Sequence, residues 1–315
     1  SPYGKLFTVD TKRDRLCNKP PQTVNGQQMR KTTRLKTLIQ APKLLVMPGA
    51  YDALSAMLIE DAGFDAVQGS GFGLAASHLG LPDIGILGLR EMLDRTRVLA
   101  NVVNIPVMAD GDTGFGDAAT TWHVVREFEA AGAAGINLED QVMPKRCGHF
   151  TGKAVIAMDE MVGKLRAAAD ARRDKDFVIN ARTDALQSLG VDEAIRRGNA
   201  YAQAGATLIF VDGIETRDEV KRVIDEIDAP VSINMVEGGR TPLFTFAELE
   251  QLGAARVSCP VTTILAAMKG VQDALAELKA TGAPGSRPEL LAGFGDIKAR
   301  LGAPDFDALG SKFAG

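Results

Sequence analysis

From residue 44 onward the chain alternates two spacings of apolar residues: short, nearly continuous runs, and longer stretches in which apolar positions recur every three or four residues. The short runs are 44–48, 66–68, 107–109, 135–138, 177–181, 208–211, 231–233 and 256–259, eight candidate strands. The longer stretches are 53–62, 90–103, 118–131, 158–172, 192–204, 217–227, 247–252 and 262–281, eight candidate helices. Strands without polar alternation are buried on both faces, which is the habit of all-parallel sheets, and Ala-Gly pairs before several runs act as helix stops feeding the next strand. Eight strand–helix pairs, with no glycine-rich dinucleotide fingerprint after the first run, predict an α/β fold, a (β/α)₈ TIM-type barrel rather than an open doubly wound sheet.

Two flanks fall outside that rhythm. Residues 1–30 are polar, carry Pro20-Pro21 and show no sustained period, so they read as an arm or tag, leaving 31–281 for the barrel. Residues 282–315 form a C-terminal helical extension: Gly282-Ala-Pro-Gly-Ser breaks the last helix, and an amphipathic piece at 288–301 precedes a loose end. That piece packs on its own barrel or is lent to a neighbouring subunit.

Composition narrows the partners. The 315 residues, 45% hydrophobic, carry Lys+Arg 36 against Asp+Glu 40 for a net charge of -4, and no basic run suited to nucleic acid occurs. With no apolar stretch of membrane-spanning length and no leader pattern, a soluble, cytoplasmic protein is expected. Three cysteines, Cys17, Cys147 and Cys259, do not make a disulfide framework and point to a reducing compartment.

Barrel enzymes carry their chemistry where strands end and loops begin. Those positions here hold Ser70-Gly71-Phe72, Asp110-Gly111-Asp112, Glu139, Arg182, Asp212 and Asn234. Any one of them could be a helix cap or turn residue; the set around one rim is harder to explain so. If the third strand continues past Asp110, Asp110 and Asp112 project to one side and address one cation. With Glu139 and Asp83 they form an oxygen-rich cluster whose mutual repulsion calls for Mg²⁺, or Mn²⁺, held partly through water. His78, His123 and His149 are too scattered for a zinc site. In "PKRCGHFTGK", Cys147 stands between Lys145, Arg146 and His149, an electropositive setting that lowers a thiol pKa and suits a general acid or nucleophile; an inert loop cysteine is the alternative. Arg182, at the end of a buried strand, is an anion clamp or a structural partner of Asp184.

The stretches "MPGAYDALSA", "GLPDIG", "ADGDTGFGD", "LEDQVMPKRCGH", "INARTDA" and "NMVEGGRTP" resemble the phosphoenolpyruvate mutase/isocitrate lyase superfamily, over about residues 31–281. The branch most resembled holds 2,3-dimethylmalate lyase, the plant petal death protein and carboxyphosphonoenolpyruvate phosphonomutase. The resemblance implies that Asp110 ligates the metal directly, with Asp83, Asp112 and Glu139 positioning its waters. It further implies that Ser70, Gly71 and Phe72 contact a substrate carboxylate, that Arg182 and Asn234 hold the developing enolate and the substrate's far end, and that Cys147 is the general acid. Gly148, His149 and Asp212 are counted with the substrate-binding residues.

Two positions depart from the pattern. Asp212-Gly213 stands where the family has Glu-Ala, putting the shorter carboxylate's reach in question, and Leu265 stands where tricarboxylate lyases place an arginine. The expected activity is Mg²⁺-dependent carbon–carbon cleavage of a 2-hydroxy dicarboxylate in a homotetramer with an exchanged C-terminal helix. A phosphonomutase and an oxaloacetate hydrolase are the competing activities, and a non-catalytic binding barrel the alternative from another class. With no lysine ending a central strand, a Schiff-base aldolase is disfavoured.

Overall fold

Each apolar run becomes a strand of one closed, wholly parallel sheet: β1 (Leu45–Ala50), β2 (Val67–Gly69), β3 (Val107–Asp110), β4 (Gly135–Glu139), β5 (Val178–Thr183), β6 (Leu208–Val211), β7 (Val231–Asn234) and β8 (Arg256–Cys259). β8 pairs with β1 in register from Arg256 opposite Leu45 to Cys259 opposite Pro48, which closes the (β/α)₈ barrel. A computed structural model describes residues 23–24, 27–146 and 154–314. The chain divides into two compact units, Arg30–Ile264 and Ser1–Met29 with Leu265–Gly315.

In the first unit the main core lies between the sheet and the surrounding helices, where Phe128, Leu165, Phe177, Tyr201 and Leu249 have no exposed surface. The barrel axis is more polar than branched-aliphatic packing would make it. Arg256, fully buried, donates to Ser232 Oγ and meets Met47 Sδ, both at 3.0 Å, and also donates to Gln68. Burial pulls its guanidinium down to about 10.

Four helices depart from the sequence expectation. Lys31–Gln40 buries Leu35 and Ile39 against Leu45, Met47, Met108, Val178 and Leu208, residues near the starts of their strands, so it covers the barrel's N-terminal end. Its Lys31 ammonium donates to the carbonyls of Ala100 and Val103, both at 2.7 Å. Gly71–Leu79 and the short Leu186–Leu189 form within the loops after β2 and β5. Thr262–Thr281, which belongs to the second unit from Leu265 onward, buries none of its residues; in the rest of that unit a 3₁₀ turn at Pro288–Leu290 and a helix at Phe294–Arg300 divide the 288–301 piece, and the end expected to be loose is the helix Ala303–Phe313. Pro304 in the first turn and Lys312 in the last suit that helix's ends.

Candidate active site

All eight strands point the same way, and the polar residues singled out above stand at their C-terminal ends. Asp110 closes β3, Glu139 closes β4, Arg182 is one residue from the end of β5, Asp212 follows β6 and Asn234 closes β7. Asn234 Oδ1 accepts from the Ser258 hydroxyl of β8 at 2.6 Å. Ser70 caps the helix Gly71–Leu79, its Oγ accepting from the Gly73 N–H at 3.1 Å. That hydroxyl accepts from the helix and keeps its own proton to donate. The first-turn N–H groups of Gly71 and Phe72, which have no intrahelical acceptor, are likewise suited to an anion.

The continuation of β3 that would align Asp110 with Asp112 does not occur. The strand stops at Asp110, whose Oδ1 accepts from the Asp112 N–H at 3.1 Å, and Asp112 has a left-handed backbone, φ 45. The Asp112 carbonyl accepts from the Glu139 N–H at 2.8 Å, which ties the two acidic positions together. A turn, not strand alternation, gathers the carboxylates. Gly71 leaves room for the Asp110 carboxylate: a Cβ there would lie 2.2 Å from Asp110 Oδ2 and force that side chain to move.

Lys145 has a role that the sequence did not show. It reads as a companion of Cys147, but its ammonium lies 2.5 Å from Asp83 Oδ1 and 2.7 Å from Asp112 Oδ1, and the side chain is 4% exposed. The available signal was the acidic cluster itself, because buried carboxylates need a nearby counter-charge. Burial disfavours the ammonium, but Asp112, Glu139, Asp83 and Asp110 outweigh it and hold Lys145 well above the usual lysine range. One cation does not satisfy four acids. Burial pushes the Asp112 carboxyl up to about 7, with Lys145 opposing and Asp110 and Asp83 adding to the push. Burial likewise raises Glu139 well above the carboxylate range against the pull of Arg182 and Lys145. Its Oε1 is buried with no hydrogen-bond partner.

Hard oxygen donors, surplus negative charge and an orphaned carboxylate oxygen fit a divalent cation such as Mg²⁺. Among the described residues no three Asp, Glu, His or Cys side chains form a group that could hold a metal between them. The set therefore suits an ion held directly by one carboxylate and through water by the others, an arrangement Mg²⁺ favours.

A pH effect follows. Unfolded, Asp112 ionises near its ordinary value of about 4; folded, it does so at about 7. Between those values the folded protein binds more protons than the unfolded chain, so stability declines as pH rises through the window. In EDTA the melting temperature should fall from pH 5 to pH 7.5. Added Mg²⁺, which needs ionised ligands, should raise it more at pH 7.5 than at pH 5. Differential scanning fluorimetry checks both trends, and a melting temperature independent of pH in EDTA would contradict them.

Arg182 meets three carboxylates. Its Nε and Nη2 donate to the two oxygens of Asp184, both at 2.8 Å, Nη2 lies 3.1 Å from Asp212 Oδ2, and Nε lies 3.3 Å from Glu139 Oε2. The pair with Asp184 is thus real, and the shorter side chain at position 212 does reach the guanidinium. Burial opposes the charge, but Asp184, Asp212 and Glu139 hold Arg182 well above its ordinary value. Cys147, Gly148 and His149 lie outside the described residues. The chain leading to them is held by Gln141, whose side chain accepts from the Arg146 N–H and donates to the Arg146 carbonyl, each at 2.9 Å.

Residues 35–279 match the family described as phosphoenolpyruvate phosphomutase. The chain is 47% identical over 251 residues to 2,3-dimethylmalate lyase of Eubacterium barkeri, covering 80% of this chain and 87% of that one. It is 44% identical over 248 residues to a probable 2-methylisocitrate lyase of Corynebacterium glutamicum, covering 79% and 80%. A phosphonopyruvate hydrolase solved with oxalate and Mg²⁺ superposes with a TM-score of 0.83 at 33% identity, covering 91% of this chain and 100% of that one.

Proposed function

The chain belongs to the phosphoenolpyruvate mutase/isocitrate lyase superfamily, and on that premise we propose that it is a Mg²⁺-dependent lyase cleaving the C2–C3 bond of a 2-hydroxy dicarboxylate of the 2,3-dimethylmalate type. The observation that carries this reading is the convergence of Asp83, Asp112 and Glu139 with Lys145 and Arg182 at the rim that Asp110 occupies.

Asp110 would hold the ion, and Asp83, Asp112 and Glu139 its waters; Mn²⁺ is an acceptable substitute. When bound, the metal supplies Lewis acidity to the substrate's C2 oxygen and charge for its C1 carboxylate. The Gly71 and Phe72 N–H groups, at a helix start, bind that carboxylate. The C2 hydroxyl gives its proton to the carboxylate cluster, the C2–C3 bond breaks, and C2 becomes the ketone of a pyruvate-type product. Arg182 would face the C2 oxygen while it carries the charge left by its proton, before the bond breaks, and Asn234 would orient the other end. The electron pair left on C3 spreads into its carboxylate and takes a proton from Cys147; the thiolate then recovers the proton released from the hydroxyl.

A dicarboxylate is favoured over a tricarboxylate because the resemblance puts Leu265 where tricarboxylate lyases carry an arginine; a missing ionic contact of that kind costs about 2–5 kcal/mol. Methylisocitrate should therefore turn over more slowly than 2,3-dimethylmalate in a coupled assay for the 2-oxo acid, and the reverse order would refute this specificity. The exposed apolar side chains of Thr262–Thr281, with Met268 and Leu275 each 58% exposed, are the surface a second copy would cover in a homotetramer. Light scattering should give four chain masses, and a monomer would contradict the assembly. No helix among the described residues is long and apolar enough to cross a membrane.

A phosphonomutase is the second reading, supported by the description of the matching family. A panel of malate-type acids and phosphonates with Mg²⁺, followed by ³¹P NMR, separates the two: 2-oxo acid release without a new phosphorus resonance is expected, and phosphorus migration would favour the mutase.

A further inference from the structure

Asp140, the residue after Glu139, is entirely buried, and the chemistry proposed above does not use it. A buried carboxylate is tolerated only when its oxygens are well satisfied, so the identity of its donors is informative. Oδ2 accepts from the Thr183 hydroxyl at 2.7 Å, the Tyr201 hydroxyl at 2.7 Å and Arg197 Nη1 at 2.9 Å, while Oδ1 accepts from the Asp184 N–H at 2.9 Å. Two of these donors, Thr183 and Asp184, directly follow Arg182. The Asp140 N–H itself donates to the Arg182 carbonyl at 3.2 Å. The residue thus holds the backbone from Arg182 to Asp184, and Asp184 in turn holds the Arg182 guanidinium through both of its oxygens.

The same group reaches a second segment. Arg197 Nη1 also donates to the Ile156 carbonyl at 3.0 Å, and the Ile156 N–H donates to the Asp140 carbonyl at 2.8 Å. Val142 N–H donates to the Ala154 carbonyl at 2.8 Å beside the antiparallel bridge between Gln141 and Val155. Helix Val191–Gln203 supplies both Arg197 and Tyr201, four residues apart on one face, so a single rigid element presents both donors.

We propose that Asp140, Arg197 and Tyr201 are a positioning unit that sets the plane of the Arg182 guanidinium through Asp184. The unit touches no reacting atom. It removes the freedom of an arginine that would otherwise choose among three carboxylates, so that the guanidinium is already aimed when an oxyanion forms. This rests on the reading of Arg182 as the residue that meets that oxyanion.

The test uses the full chain, with oxalate binding measured by calorimetry in the presence of Mn²⁺ and Mn²⁺ binding measured separately. Tyr201→Phe, which deletes one hydroxyl and leaves the ion pair, should weaken oxalate by about tenfold while Mn²⁺ affinity stays within about twofold. Asp140→Asn should do the same or worse, and if it does not fold, Tyr201→Phe still decides. Because the unit works through Arg182, Tyr201→Phe added to Arg182→Lys should cost less than about twofold more, a non-additivity that simple loosening of the core would not produce. Equal losses in both backgrounds, or unchanged oxalate affinity in Tyr201→Phe, would overturn the proposal while leaving Arg182's role intact. Unchanged oxalate affinity in Arg182→Lys would remove that role, and this inference with it.

Discussion

Replacing Asp110 by Ala should abolish turnover, by at least about 10³-fold, with no recovery at any Mg²⁺ concentration. The other three acids cannot stand in for it: Asp83 and Asp112 are paired with Lys145, and Glu139 lies against Arg182. The space above Asp110 is kept open by Gly71, where even a methyl group would press on Asp110 Oδ2. Asp110→Asn keeps the shape and loses the charge, so it should fail nearly as completely. The sign of the stability change should be opposite. Asp110 adds to the repulsion acting on Asp112, so without metal the variant should melt no lower than the parent near pH 7.5. A variant that is both inactive and markedly less stable in EDTA would mean that Asp110 holds the fold rather than the ion.

The second large effect is expected at Cys147. A serine hydroxyl in its place is a far weaker acid, so the step that protonates the carbanion should slow by about 10² to 10⁴-fold in Cys147→Ser. Binding should hardly change, because the groups proposed to hold the metal and the C1 carboxylate, Asp110, Glu139, Asp112, Asp83 and the first turn of Gly71–Leu79, do not include the thiol. Oxalate affinity should stay within a few-fold of the parent. The pH profile of kcat/KM should lose one ionisation in the variant, that of the thiol itself, which Arg146 and His149 neighbour in sequence. Near-parent turnover of a malate-type substrate by Cys147→Ser would rule out the thiol as proton donor and shift the balance toward the phosphonomutase.

The barrel was legible because its strands are short, apolar on both faces and separated by amphipathic stretches, a pattern with few other solutions. All eight strands stand within a few residues of their apolar runs. The helices that escaped notice did so for local reasons. Gly71–Leu79 opens on "GFG", poor helix material that succeeds because Ser70 caps it and Leu74 and Ala75 are buried. Lys31–Gln40 looks polar because only Leu35 and Ile39 are buried. The strand-end rule placed Asp110, Glu139 and Arg182 at one rim, since a barrel gathers every strand end there. It could not find Lys145 or Asp140. Lys145 comes from a loop and reaches across to Asp83 and Asp112, and Asp140 draws on donors more than forty residues away in sequence. Asp110 and Asp112 do not alternate along one strand because β3 ends before the turn that places Asp112.

The most direct test is pyruvate release from 2,3-dimethylmalate by metal-stripped protein titrated with Mg²⁺. No release in EDTA, saturable recovery as Mg²⁺ is added, and one pyruvate for each substrate consumed are the expected results. Full turnover in EDTA, or consumption of the substrate without pyruvate, would contradict it.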